Sequence, residues 1–159
     1  MIIEIDQSGK IEDTNKLTVI AFTEGKIKSL KISAREKQKL VTAMRVLDYP
    51  RKIFIYKIFA ALVFLLIKDE KVEEVIIDKE YPGHEAVIKD VIRGLFKKEG
   101  KDMPIINFAY IGKKSAVHKI ALEIFKGKRE ADAIIKADDV MKLLYKKSSR
   151  SARSRRENP

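Results

Sequence analysis

Apolar positions recur along this chain in two rhythms, every second residue and every third to fourth. The first rhythm predicts strands. Residues 1–6, MIIEID, read as a strand that turns at Gln7-Ser8-Gly9-Lys10. Residues 17–23, LTVIAFT, are β-branched and aromatic, and Glu24-Gly25 follows as a turn. Residues 26–32 alternate Lys28, Leu30 and Ile32 against Ile27, Ser29 and Lys31. Connections this short leave no room for a helix, so the three strands predict an antiparallel meander. Residues 72–78, VEEVIID, carry apolar side chains on both faces, as a strand inside a sheet does. Residues 104–111, PIINFAYI, read as a fifth strand.

The second rhythm predicts helices. Ser33-Ala34-Arg35-Glu36 matches the capping box, and Leu40, Val41, Met44 and Leu47 follow on one face. Tyr49-Pro50 ends that run. Residues 52–68 form a helix that is apolar nearly all round. Residues 84–98, 114–126 and 137–146 are amphipathic helices. The order β-β-β-α-α-β-α-β-α-α predicts an α/β fold: a mixed five-stranded sheet, antiparallel in its first three strands, flanked by helices. The chain divides into a domain over 1–146 and a disordered basic tail over 147–159.

Composition narrows the chemistry. With no cysteine, a disulfide scaffold, a thiol nucleophile and Cys-based zinc sites are excluded. Richness in Lys, Glu and Ile is thermophile-like. The start MIIEIDQSGK carries acids where a signal peptide needs cations, so a cytoplasmic protein is expected. The apolar stretch Ile53 to Ile67 is short of the roughly 20 residues a membrane span needs. It predicts a core helix, with residual apolar surface for a homodimer.

The net charge of +11 favours polyanions, nucleic acid first. Residues 146–159 contribute six basic residues and one acid. Lys113, Lys114, Lys119, Lys126, Lys128 and Arg129 cluster before the last helix, where they can track a phosphate backbone.

Against this excess of cations, a few acids fall at element ends. Asp6 closes the first strand, Asp78 closes the fourth, Glu36 sits in the first turn of a helix, and Asp138 and Asp139 open the last helix. Parallel neighbouring strands would place Asp6 and Asp78 at one sheet edge, where ligands gather. Converging carboxylates repel one another and call for a hard cation such as Mg²⁺ or Mn²⁺, which can activate water against a phosphodiester. Ordinary roles compete: Asp138 as an N-cap, Glu36 as a capping-box acid, Asp6 and Asp78 as turn formers. His118 reads as a half-exposed helical residue and His84 as a helix opener.

Asp6-Gln7-Ser8-Gly9, the meander, the helical Glu36, Asp78 ending the fourth strand and an Asp on the last helix together resemble the ribonuclease H-like superfamily. That group includes ribonuclease H and RuvC-type resolvases. The resemblance implies metal ligation by Asp6, Asp78 and Asp139, with Asp138 as an addition. The ribonuclease H pattern adds Glu36 to the catalytic set. The segment from Gly112 to Lys119, with Asp132 and Asp138-Asp139 after it, looks closer to the resolvase branch. The resemblance implies a Mg²⁺- or Mn²⁺-dependent endonuclease acting on structured DNA or RNA–DNA hybrid. A non-catalytic nucleic-acid-binding module of the same fold is the alternative.

Overall fold

The computed structural model describes residues 1–47 and 53–146. The expected break at Tyr49-Pro50 and the tail over 147–159 lie outside the described residues. Six strands and five helices follow one another as β1 (Ile2–Ser8), β2 (Thr18–Glu24), β3 (Lys26–Ile32), α1 (Ala34–Leu47), α2 (Ile53–Ile67), β4 (Glu74–Asp78), α3 (Glu85–Lys98), β5 (Ile105–Ala109), α4 (Ala116–Phe125), β6 (Ala133–Ile135) and α5 (Ala137–Tyr145). The sheet order is β5-β4-β1-β2-β3-β6. β1, β2 and β3 form the expected antiparallel meander. β4 joins β1 in parallel, and β5 joins β4 in parallel.

The sheet has six strands rather than five. β6 pairs in parallel with β3, from Leu30–Ala133 to Ile32–Ile135. Its three residues are too few for an alternation to register in the sequence. Asp132 clips it in place. The Asp132 carboxylate accepts from Ser29 N at 2.9 Å and from Ser29 Oγ at 3.2 Å. Ser29 is buried, so this pairing satisfies a hydroxyl that would otherwise lack partners.

Pleating sorts side chains to two faces. Ile3, Ile5, Ile20, Phe22, Leu30, Ile32, Val75 and Ile77 build the main core with helices α1, α2, α3 and α5. Val19 and Ala21 face the other way and pack under Val117, Ala121 and Ile124 of α4. β2 is therefore buried on both faces, which explains its continuous apolar run.

The packing also accounts for α2. Its residues from Ile58 to Phe64 are all buried, between the sheet and the other helices of the main core. Ten of its fifteen residues are buried inside the protomer, while Ile53, Ile55, Tyr56 and Leu65 stay half-buried. No helix among the described residues is long and apolar enough to cross a membrane.

β1 runs two residues beyond Asp6, which lies within the strand and not at its end. The strand is turned at Gly9, whose φ is +82°. A Cβ there would strike Leu17 O and lie 2.8 Å from the Phe125 ring. Only glycine lets the chain leave β1 under the end of α4.

Candidate metal and nucleic-acid site

Ile5 pairs with Ile77 across β1 and β4, so Asp6 and Asp78 follow at the next position of two parallel strands. Ile5 and Ile77 enter the main core. Alternation therefore turns both aspartates to the opposite face, which α4 covers over β1 and β2. This edge holds the carboxyl ends of β1, β4 and β5, where open α/β sheets collect ligands.

Asp6 is 3% exposed. Its Oδ1 accepts from Gln7 N at 2.8 Å, and its Oδ2 lies 2.8 Å from His118 Nδ1. An ionised carboxylate only accepts, so with Asp6 ionised the bond runs from His118 Nδ1–H to Oδ2. Burial pushes the Asp6 carboxyl above its ordinary value, and the bonds from Gln7 and His118 oppose that rise. Ser115 caps α4 by accepting from His118 N at 3.2 Å, which fixes the helix start and with it the imidazole.

Asp78 Oδ1 accepts from Ile111 N at 2.7 Å. That bond draws the segment after β5 to the end of β4. Two residues on, Glu80 enters the same cluster. Its carboxyl is pushed up to about 7, first by burial, then by the charges of Asp78 and Asp6, while Lys10 opposes the rise. Glu80 N also donates to Asp78 O at 2.8 Å.

The structure thus brings Asp6, Asp78, Glu80 and His118 to one edge. His118, expected to be a plain helical residue, is the partner of Asp6. The sequence signal for Glu80 was its spacing: in extended chain, Asp78 and Glu80 share a face. The signal for His118 was Ser115 three residues before it, a cap that places the histidine in the first turn of a helix following β5.

The other expected acids lie elsewhere. α5 packs on α1 and α2, across the sheet from α4. Asp139 Oδ2 accepts from Lys136 N at 2.8 Å, capping its own helix. It lines an open cavity of about 500 Å³ with Lys28, Leu30 and Lys142, on the main-core face. Asp138 pairs with Lys142 at 2.8 Å, in solvent. Glu36 accepts from Ala137 N at 3.1 Å and pairs with Lys39 at 3.0 Å. The Lys39 bond, and then the Ala137 bond, hold its carboxyl below the usual range. Ser33 Oγ caps α1 as expected, accepting from Glu36 N at 3.2 Å. Its Glu36 carboxylate, however, serves the start of α5 instead of closing the box. His84 stacks on Tyr56, ring centroids 4.0 Å apart.

The expected cationic cluster splits along α4. Lys113 and Lys114 precede the helix and Lys119 lies in its first turns, all exposed beside His118. Lys126, Lys128 and Arg129 lie past its other end, about 15 Å away for a helix of this length. Arg129 faces Glu123 at 3.9 Å.

Comparison with protein families, curated proteins and solved structures returns no match. Function has to be read from the chemistry of this edge. Among the described residues, no three His, Asp or Glu side chains are grouped closely enough to hold a metal ion together. The donor chemistry nevertheless fits a hard divalent ion. Asp78 and Glu80 would supply carboxylate oxygens and Asp6 would add charge. The upward push on Glu80 by Asp78 and Asp6 is a repulsion that a bound cation would relieve.

The same repulsion predicts a pH dependence. The folded protein keeps a proton on Glu80 between its ordinary 4.5 and about 7, where the unfolded chain releases it. The stabilisation is complete below 4.5 and is lost as pH rises through 7. In EDTA, wild type is expected to lose about 1–2 kcal/mol more than Glu80→Gln between acid and mildly alkaline pH, with solvent screening allowed for. Urea denaturation of both proteins across that range checks it. Parallel stability curves would contradict it.

Proposed function

We propose that this protein is a Mg²⁺- or Mn²⁺-dependent endonuclease of ribonuclease H-like architecture, acting on structured DNA or RNA–DNA hybrid. One observation carries the reading. Asp6 and Asp78 stand side by side on parallel β1 and β4, at the carboxyl edge of the sheet, under a helix bearing His118. The strand order β5-β4-β1-β2-β3, antiparallel in its first three strands, supports it.

Asp6, Asp78 and Glu80 would hold the ion, with His118 at its margin. The ion would supply an activated water and charge for the leaving oxygen. The chain's own residues do the rest. His118 orients Asp6, and the Gln7 and Ile111 amides fix Asp6 and Asp78. Without the ion Glu80 keeps a proton up to about pH 7, and binding the ion would release it. Lys113, Lys114 and Lys119 bring a phosphate backbone to the edge.

A second reading is a non-catalytic nucleic-acid-binding module. It is favoured by the contacts Asp6 already makes, since each of its two oxygens has a partner within the protein. The test is to incubate the protein with branched DNA, RNA–DNA hybrid and plain duplex, with Mg²⁺ or Mn²⁺. The nuclease reading expects cleavage of a branched or hybrid substrate, abolished by EDTA. Binding without cleavage under either metal would overturn it in favour of the second.

A further inference from the structure

Tyr110 follows directly on β5 and is 75% exposed, the most exposed aromatic ring among the described residues. Its neighbours are fixed. Asp78 pairs with Ala109, and Lys79 N donates to Ala109 O at 3.0 Å. Ile111 N donates to Asp78 Oδ1 at 2.7 Å. Tyr110 therefore lies between two hydrogen bonds, one backbone and one to the Asp78 carboxylate, that tie its neighbours to the end of β4. Lys79 Nζ lies 5.3 Å from the ring centroid, a cation–π contact that steadies the side chain. Lys113 and Lys114 follow within four residues, both exposed.

A large apolar ring in water costs solvation and contributes nothing to this core. Its surroundings say what it suits. It stands past the carboxyl end of β5, where alternation turns it to the face opposite Asp78, carries a cation on the ring and is followed in the chain by two exposed lysines. A flat, π-faced group attached to phosphate matches all three features. In a paired duplex each base already stacks on its neighbours. The ring is thus complementary to a base that has left the stack.

We propose that Tyr110 is a stacking platform for an unpaired nucleotide, with Lys79, Lys113 and Lys114 holding the flanking phosphates. This rests on the reading of the protein as a nucleic-acid enzyme, and it names the substrate class. The nucleic acid that crosses this end of the sheet is unpaired there, as at a flap, a junction or a single-stranded region.

The test reads binding, not cleavage. Fluorescence anisotropy is measured in EDTA, and again in Ca²⁺, with labelled single strand, flap and blunt duplex. Tyr110→Ala is expected to weaken single-strand and flap binding roughly 5- to 100-fold. Duplex binding should change less than about 2-fold, and Tyr110→Phe should match wild type on every substrate, because stacking needs the ring and not the hydroxyl. Lys113→Gln with Lys114→Gln should weaken all three substrates alike and flatten the salt dependence. Unchanged affinity in Tyr110→Ala, or an equal loss on duplex, would overturn the platform. If Tyr110→Ala behaves as expected but wild type cuts nothing with Mg²⁺ or Mn²⁺, the platform stands and the nuclease reading falls. If wild type binds no nucleic acid, both fall.

Discussion

Asp6→Asn is expected to lower metal-dependent cleavage by about 10³-fold or more while leaving the fold intact. The argument is one of shape against charge. Asparagine keeps the acceptor that takes the Gln7 amide and can donate to an imidazole nitrogen, so the local geometry persists. Asp6 is almost fully buried, and a neutral side chain there avoids the desolvation that pushes its carboxyl upward. The melting temperature should therefore hold or rise. The loss falls on the ion: one carboxylate fewer weakens a site for a hard cation, and the several kcal/mol a metal supplies to the transition state go with it. His118→Ala removes the orienting partner and not the charge, so its loss should be smaller, about 10- to 100-fold. Single-turnover rates for the two variants, alongside their melting curves, check both. Equal rates in Asp6→Asn and wild type would refute the assigned chemistry.

Lys37→Ala is expected to destabilise the protein by roughly 3–5 kcal/mol, through lost packing and unmet acceptors. Lys37 is 0% exposed. Its Nζ donates to Lys10 O at 2.9 Å, Asp13 O at 2.6 Å and Thr18 Oγ1 at 3.0 Å. Three N–H bonds meet three acceptors, so the ammonium is fully used. Burial pushes it down to about 8, which leaves it mostly protonated at neutral pH. The acceptors belong to β2 and to the connection before it, so this one side chain pins the β1–β2 loop to α1. That loop carries Lys10, the cation facing Glu80. Lys37→Met keeps most of the volume and removes the donors, so it should fall between alanine and wild type. Alanine should lower the melting temperature by about 10 °C. A change below about 2 °C would contradict this role.

The strand rhythm of 1–6, 17–23 and 26–32 was enough to place the meander, and Val75-Ile76-Ile77 was enough to place β4 inside the sheet. From those two readings the neighbourhood of Asp6 and Asp78 follows, because alternation fixes which face each aspartate takes. Asp139 was the misplaced acid. An Asp in a first helical turn is equally a cap and a ligand, and a helix's own periodicity does not say on which face of a sheet it packs. β6 supplies the missing turn of chain: it carries the path to the far edge, and α5 then returns on the main-core face. α4 takes the face above Asp6 instead. The uniform apolarity of α2 had the same ambiguity, since burial between sheet and helices and burial against a second copy need the same residues. Nothing in the sequence marked Lys37, because two of its three acceptors are main-chain carbonyls of a loop without any apolar rhythm.

The central claim is that Asp6 and Asp78 share one divalent ion, and calorimetric titration with Mn²⁺ tests it most directly. Wild type is expected to bind with release of a proton as pH falls toward 7, where Glu80 is part-protonated. Asp6→Asn and Asp78→Asn should each weaken binding at least about 10-fold, while Asp139→Asn binds as wild type does. Equal Mn²⁺ affinity in all four proteins, or loss confined to Asp139→Asn, would contradict the account.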